Sequence, residues 1–124
     1  MNLDTPALAV IDGSLCRLNR RGSRATVHAP LATAIVEFHR GPVRSFVREH
    51  PFGLLPGIPN LYCLDGDFRL LWLAEWPDPA DPCAAIVGEE GGTLTVTTVG
   101  GSTVHLDAGT GRLQRIDAPL AVAG

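Results

Sequence analysis

Lysine is missing altogether from this 124-residue chain; all ten basic side chains are arginine. Cysteine is sparse as well, three in all, with no Cys-x-x-Cys pair among Cys16, Cys63 and Cys83. An odd, unpaired set argues against a disulfide framework, a zinc knuckle or a dithiol redox centre. Cys16 and Cys63 lie within apolar phrases, where a reduced thiol packs as a small hydrophobe, so a reducing, cytoplasmic setting is expected. Long apolar runs are lacking too. Leu70-Leu71-Trp72-Leu73-Ala74 is far short of the roughly 20 residues that cross a bilayer, and no membrane association is expected. The opening Met1-Asn2-Leu3-Asp4-Thr5-Pro6 has neither the basic start nor the apolar core of a signal peptide. Ten prolines and fourteen glycines leave few windows in which a helix could persist.

Charge is unevenly placed. Residues 1–50 carry seven arginines against Asp4, Asp12, Glu37 and Glu49, a net +3, whereas residues 51–124 carry three against nine acidic residues, a net −6. Opposite potentials at two ends of one molecule favour head-to-tail contact between copies. No basic stripe is interleaved with aromatics and the net charge is −3, so nucleic acid is excluded as an expected partner.

What the chain does contain is a recurring strand phrase. Asn60-Leu61-Tyr62-Cys63-Leu64-Asp65 is echoed by Gly13-Ser14-Leu15-Cys16-Arg17-Leu18-Asn19 and by Gly101-Ser102-Thr103-Val104-His105-Leu106-Asp107. Each is a short apolar strand closed by Asn or Asp, whose side chain caps a tight turn by accepting backbone N–H groups. A period of roughly 40–50 residues suits a unit of four strands. Thr93 to Val99 alternates strictly, Leu94 and Val96 opposing Thr93, Thr95 and Thr97, as a half-buried strand does. Neighbouring strands are expected at 84–87, 103–107 and 112–116, with glycine turns at Gly88–Gly92 and Gly100-Gly101. Earlier strands are expected at 7–11, 15–19, 26–28, 33–38 and 43–48, with hairpin turns at Asp12-Gly13 and Gly41-Pro42. Leu61, Cys63, Leu71 and Leu73 are assigned to one face of the 60–76 hairpin, and Tyr62, Leu64, Leu70, Trp72, Ala74 and Trp76 to the other. Apolar on both sides, this hairpin is expected inside a stack of sheets or against another chain.

The fold class that follows is all-β: antiparallel meanders of about eight to ten strands, two blade-like units or else a small β-roll or sandwich. One domain is expected over 1–124, with a joint at the proline-rich segment 51–59. Residues 60–72, with Leu-Asp before the turn and Trp72 after it, resemble the repeat of quinoprotein-like (PQQ-type) β-propellers, and Asp107-Ala108-Gly109-Thr110-Gly111 resembles the same turn. The resemblance implies two to three blade-type units and an inter-blade role for Trp72. It carries no quinone-ligand position onto this chain, so no cofactor is expected.

Catalytic and metal motifs are not found. His28, His39, His50 and His105 form no ligand spacing, and no serine lies in a Gly-x-Ser-x-Gly elbow. Asp65-Gly66-Asp67 begins like a calcium loop but lacks the later ligands, and a turn cap is the better account. Trp72 and Trp76 read as packing rather than as a stacking platform. Arg44, Arg48 and His50, next to the 51–59 loop, are the one cluster suited to an anionic ligand, with ordinary surface charge as the plainer reading. The function expected is a non-catalytic binding or scaffold module that associates with itself or another protein; the alternative is a small-ligand protein or enzyme with a site at that loop.

Overall fold

The structure, a computed structural model, describes residues 6–53 and 57–119. Eleven strands and no helix form among these residues. They are β1 Leu8–Ile11, β2 Ser14–Leu18, β3 Arg24–His28, β4 Ile35–Arg40, β5 Arg44–Glu49, β6 Leu61–Asp65, β7 Leu70–Leu73, β8 Cys83–Glu90, β9 Thr93–Thr98, β10 Thr103–Asp107 and β11 Leu113–Asp117. Every pairing is antiparallel and between neighbours in sequence, giving three meanders: β1-β2-β3, β4-β5-β6-β7 and β8-β9-β10-β11. The all-β, meandering class therefore holds, and none of the three sheets closes into a barrel.

The meander expected over 84–116 is the third sheet, whereas the earlier strands, expected to continue one another from 7 to 48, divide between the first sheet and a second sheet that continues through 51–59 into the 60–76 hairpin. The separation has a local cause. Glu49 is 1% exposed, and its carboxylate accepts the N–H groups of Leu31, Ala32 and Thr33 at 2.7–3.0 Å. Those amides serve a carboxylate instead of a ladder, so the strand expected from Thr33 begins at Ile35 and the chain crosses to a new sheet. The passages between sheets are 29–34 and 74–82. Segment 51–59 joins β5 to β6 inside the second sheet, and residues 54–56 of it lie outside the described residues.

Turn chemistry follows the sequence closely. Asp12 and Gly13, at φ 51° and 77°, close the Ile11–Ser14 pair as a two-residue hairpin. Gly91 and Gly92 do the same for Glu90 and Thr93, so β8 runs on through Gly88 rather than turning there. The three echoed phrases end alike. Asn19 Oδ1 accepts from the N–H of Arg21 and Ser23, Asp65 Oδ1 from Asp67 and Arg69, and Asp107 Oδ1 from Gly109 and Thr110. By this correspondence β2, β6 and β10 are equivalent strands.

The second sheet lies between the other two, and its inner strands β5 and β6 are buried on both faces. Phe46, Leu61, Cys63, Trp72 and Ala74 meet Cys83, Leu94, Val96, Val104 and Leu106 of the third sheet. Val47, Tyr62 and Leu64 meet Leu15 of the first, with Leu8 and Val10 partly buried beside it. The doubly apolar hairpin is thus explained by a stack within one chain. Its faces need correction, however. Trp72 pairs with Cys63 and points the same way, because a bulge at Cys63/Leu64 shifts the register; Leu70, Leu71 and Leu73 stay 42–49% exposed.

Candidate functional site

The structure does not gather the three residues that the sequence put forward. Arg44 and Arg48 sit four residues apart on β5, about 13 Å along an extended chain. Both share the face of Phe46, toward the third sheet. Arg44 Nη1 donates to the Ala108 carbonyl at 2.8 Å. Arg48 Nε donates to Glu37 Oε1 at 2.6 Å, and the same oxygen accepts the Ile86 N–H at 3.1 Å. These two arginines tie the second sheet to the third. His50 is exposed beyond the strand, its ring 5.5 Å from that of Phe52 and its Nδ1 accepting the Phe52 N–H at 3.2 Å.

Trp72 also joins sheets, and Trp76 pins the passage between them. Trp72 lies 5.9 Å from Phe46 between ring centroids and donates Nε1–H to the Ala108 carbonyl at 3.2 Å, while Trp76 donates to the Asp81 carbonyl at 2.9 Å. Gly111 accepts the indole against its backbone, since a Cβ there would stand 2.4 Å from Trp72 Cε3. Asn60, fully enclosed, completes the link: its Nδ2 donates to the carbonyls of Glu49 and Cys83, and its Oδ1 accepts the Cys83 N–H.

Between the first and second sheets a buried polar chain runs His28, Tyr62, Glu49. Tyr62 donates its hydroxyl hydrogen to Glu49 Oε2 at 2.5 Å, so the His28 Nε2–H at 2.9 Å must donate to the Tyr62 oxygen. Burial works to raise the pKa of Glu49, but the amides of Thr33, Leu31 and Ala32 and the Tyr62 hydroxyl outweigh it and hold the carboxyl below its usual range. Burial lowers His28, and Glu49 only partly offsets this. Burial and the adjacent carboxylate together push the Tyr62 phenol far up. Glu49 has its acceptors filled from within the fold, so the chain serves as a structural brace.

A second polar group lies on the outward face of the third sheet. His105 Nδ1 is 3.3 Å from Thr95 Oγ1, its Nε2 is 2.9 Å from Asp117 Oδ2, and Arg115 Nη2 is 3.2 Å from the same oxygen. The connectivity is hydroxyl, imidazole, carboxylate. The setting is a flat strand face whose amides are engaged in the ladder, with no free donors to stabilise an oxyanion. It functions as a cross-strand polar ladder.

A concave feature lies at one end of the first two sheets. Leu8 and Arg17 line it from the first; Arg40, Gly41, Pro42, Val43, Arg44, Ser45, Asp65, Gly66 and Phe68 line it from the second. Arg17 pairs with Leu8, and Arg40 lies two residues past Phe38, so both alternate onto the faces that oppose each other. The Arg17 guanidinium stacks 4.9 Å above the Phe68 ring. Sequence reading passed over Arg17 and Arg40 because they belong to different sheets and no local spacing joins them.

All three cysteines are buried and unpaired, and burial raises the Cys63 and Cys83 thiols to about 12. Among the described residues no group of His, Cys, Asp or Glu is disposed to hold a metal, and no helix is long and apolar enough to cross a membrane. In comparison with known proteins, no family model and no curated protein matches the chain.

Proposed function

We propose that this chain is a non-catalytic binding or scaffold module that associates with further copies of itself through sheet packing. The observation that carries the reading is an imbalance among equivalent units. The second and third sheets have four strands each and the first has three, so β1 has no described neighbour along its outer edge. An unpaired edge is a template for strand addition or for packing by another sheet.

Charge supports the direction of assembly. Arg20, Arg21 and Arg24 cluster near the first sheet, whereas Glu75, Asp78, Asp81, Glu89 and Glu90 lie before and within the leading strand of the third. The arginines that a ligand-binding reading would use, Arg44 and Arg48, are engaged in holding sheets together. The likeness to a PQQ-type blade belongs to the same proposal. With three sheets per chain, two copies bring six, inside the roughly 4–8 blades of a closed ring.

Size-exclusion chromatography with light scattering tests this. A dimer or larger species is expected at tens of micromolar, dissociating as salt rises because the steering charges are screened. A monomer at that concentration in low salt would overturn it.

A further inference from the structure

We infer that the cleft between Arg17 and Arg40 is a binding site for a phosphate group, carried free or as a small monoester. This is independent of whether the chain self-associates.

Four observations meet there. First, two arginines line the cleft from opposing sheets, Arg17 on β2 and Arg40 on β4, and neither forms one of the ion pairs seen among the described residues, although Asp65 on the rim feels the Arg17 charge. Arg40 Nη1 donates to the Pro6 carbonyl, which fixes the side chain without neutralising it. Second, Ser45 pairs with Arg40 and lines the same cleft, and its hydroxyl makes no hydrogen bond to a described residue. That hydroxyl is therefore a further donor available at the cleft wall.

Third, Phe68 has φ 62°, a conformation that bulky side chains avoid. In the two sibling turns the residue before the closing one is glycine, Gly22 at φ 78° and Gly111 at φ 75°. Only the second unit places a phenylalanine there, and the result is a ring seated beneath the Arg17 guanidinium. Backbone strain of this kind concentrates where a side chain must be held ready. Fourth, the other charged groups on the rim are held in place, Asp65 by the amides of its own turn and Arg44 by the Ala108 carbonyl, and both keep their charge.

Arg17, Arg40 and Arg44 against Asp65 leave the lining of the cleft with a net charge of about +2. A phosphate monoester carries about −1.5 to −2 near neutrality and offers three acceptor oxygens to guanidinium forks and one hydroxyl. A carboxylate would leave one cation unmatched. The cavity, about 90 Å³ and open to solvent on one side, has room for one such group.

Titration calorimetry with inorganic phosphate, and separately with methyl phosphate, at constant ionic strength gives the test. Saturable binding of either is expected, with acetate at least about tenfold weaker. Methyl phosphate binding alone identifies an esterified ligand, and equal binding of both a free phosphate. Arg17→Gln and Arg40→Gln should each weaken binding about tenfold and Ser45→Ala a few-fold, while Arg24→Gln, paired with Asp12 away from the cleft, should leave it unchanged. Should a glutamine variant unfold, Arg17→Lys and Arg40→Lys keep the charge and should still weaken phosphate binding by loss of the fork. Absence of saturable heat with either probe, equal affinity for acetate, or binding indifferent to both arginine substitutions would overturn the assignment.

Discussion

Glu49 is the residue on which most local structure converges. Its carboxylate holds the 31–33 crossing through three amides and meets Tyr62, while Tyr62 in turn meets His28. A buried carboxylate so satisfied is stabilising only while ionised. Glu49→Gln puts an NH₂ where amide donors already point, and should cost about 3–5 kcal/mol. Tyr62→Phe removes the charge-assisted bond to Glu49 and the acceptor of the His28 N–H, and should cost at least about 1.5–3 kcal/mol. The His28 and Glu49 pKa values lie below their unfolded values, so the unfolded chain binds more protons and stability falls on acidification. The loss begins as pH drops below His28's unperturbed 6.5 and deepens below Glu49's unperturbed 4.5. Urea titrations from pH 8 to 3 check this. A Glu49→Gln protein should retain the first decline and lack most of the second; an unchanged pH profile would refute the assignment.

Among the elements, the three capped turns were legible in the sequence and the faces of β7 were not. Asn19, Asp65 and Asp107 announce themselves by residue type and position, and their side chains do in each unit what short acidic or amide groups do at tight turns. Asp12-Gly13 is legible for the same reason, because only a few residues tolerate positive φ. The face of Trp72 depended on a bulge, which alternation along one strand cannot register. The crossing at 29–34 depended on Glu49, seventeen residues beyond Ala32. Arg17 and Arg40 came together through stacking of sheets, which no local pattern encodes. The matched turns also provide a measurement. Gly22→Ala must adopt φ near 78° with nothing within 4 Å of the new Cβ, and should cost about 1 kcal/mol. Gly111→Ala meets the same restriction at 75° and also drives Cβ into the Trp72 indole, so its cost should reach about 3 kcal/mol. Chemical denaturation of the pair isolates the contact between second and third sheets; equal costs would mean that Trp72 shifts without loss.

At the scale of the whole molecule, the order of burial implies an order of opening. The second sheet is covered on both faces at its inner strands β5 and β6, which contribute Phe46, Val47, Leu61, Tyr62, Cys63 and Leu64, all at 0% exposure. Asn60 adds three hydrogen bonds that cross to β8 or close on β5, all of them withdrawn from solvent. The first sheet has one fewer strand, shares a smaller apolar cluster with its neighbour, and presents most of β3 to water. Local opening free energies follow buried apolar contact and solvent access to backbone hydrogen bonds. Native-state hydrogen exchange should therefore find the slowest amides in β5 and β6, intermediate protection in β9 and β10, and the fastest strand amides in β3. Asn60→Ala strands the Glu49 and Cys83 backbone groups it served and should cost about 2–4 kcal/mol. Its effect should fall on the third sheet, lowering protection in β8 and β9 while the first sheet keeps its rates. A uniform loss across all eleven strands would show instead that the stack opens as one cooperative body, with the two interfaces too strongly coupled for either outer sheet to leave alone.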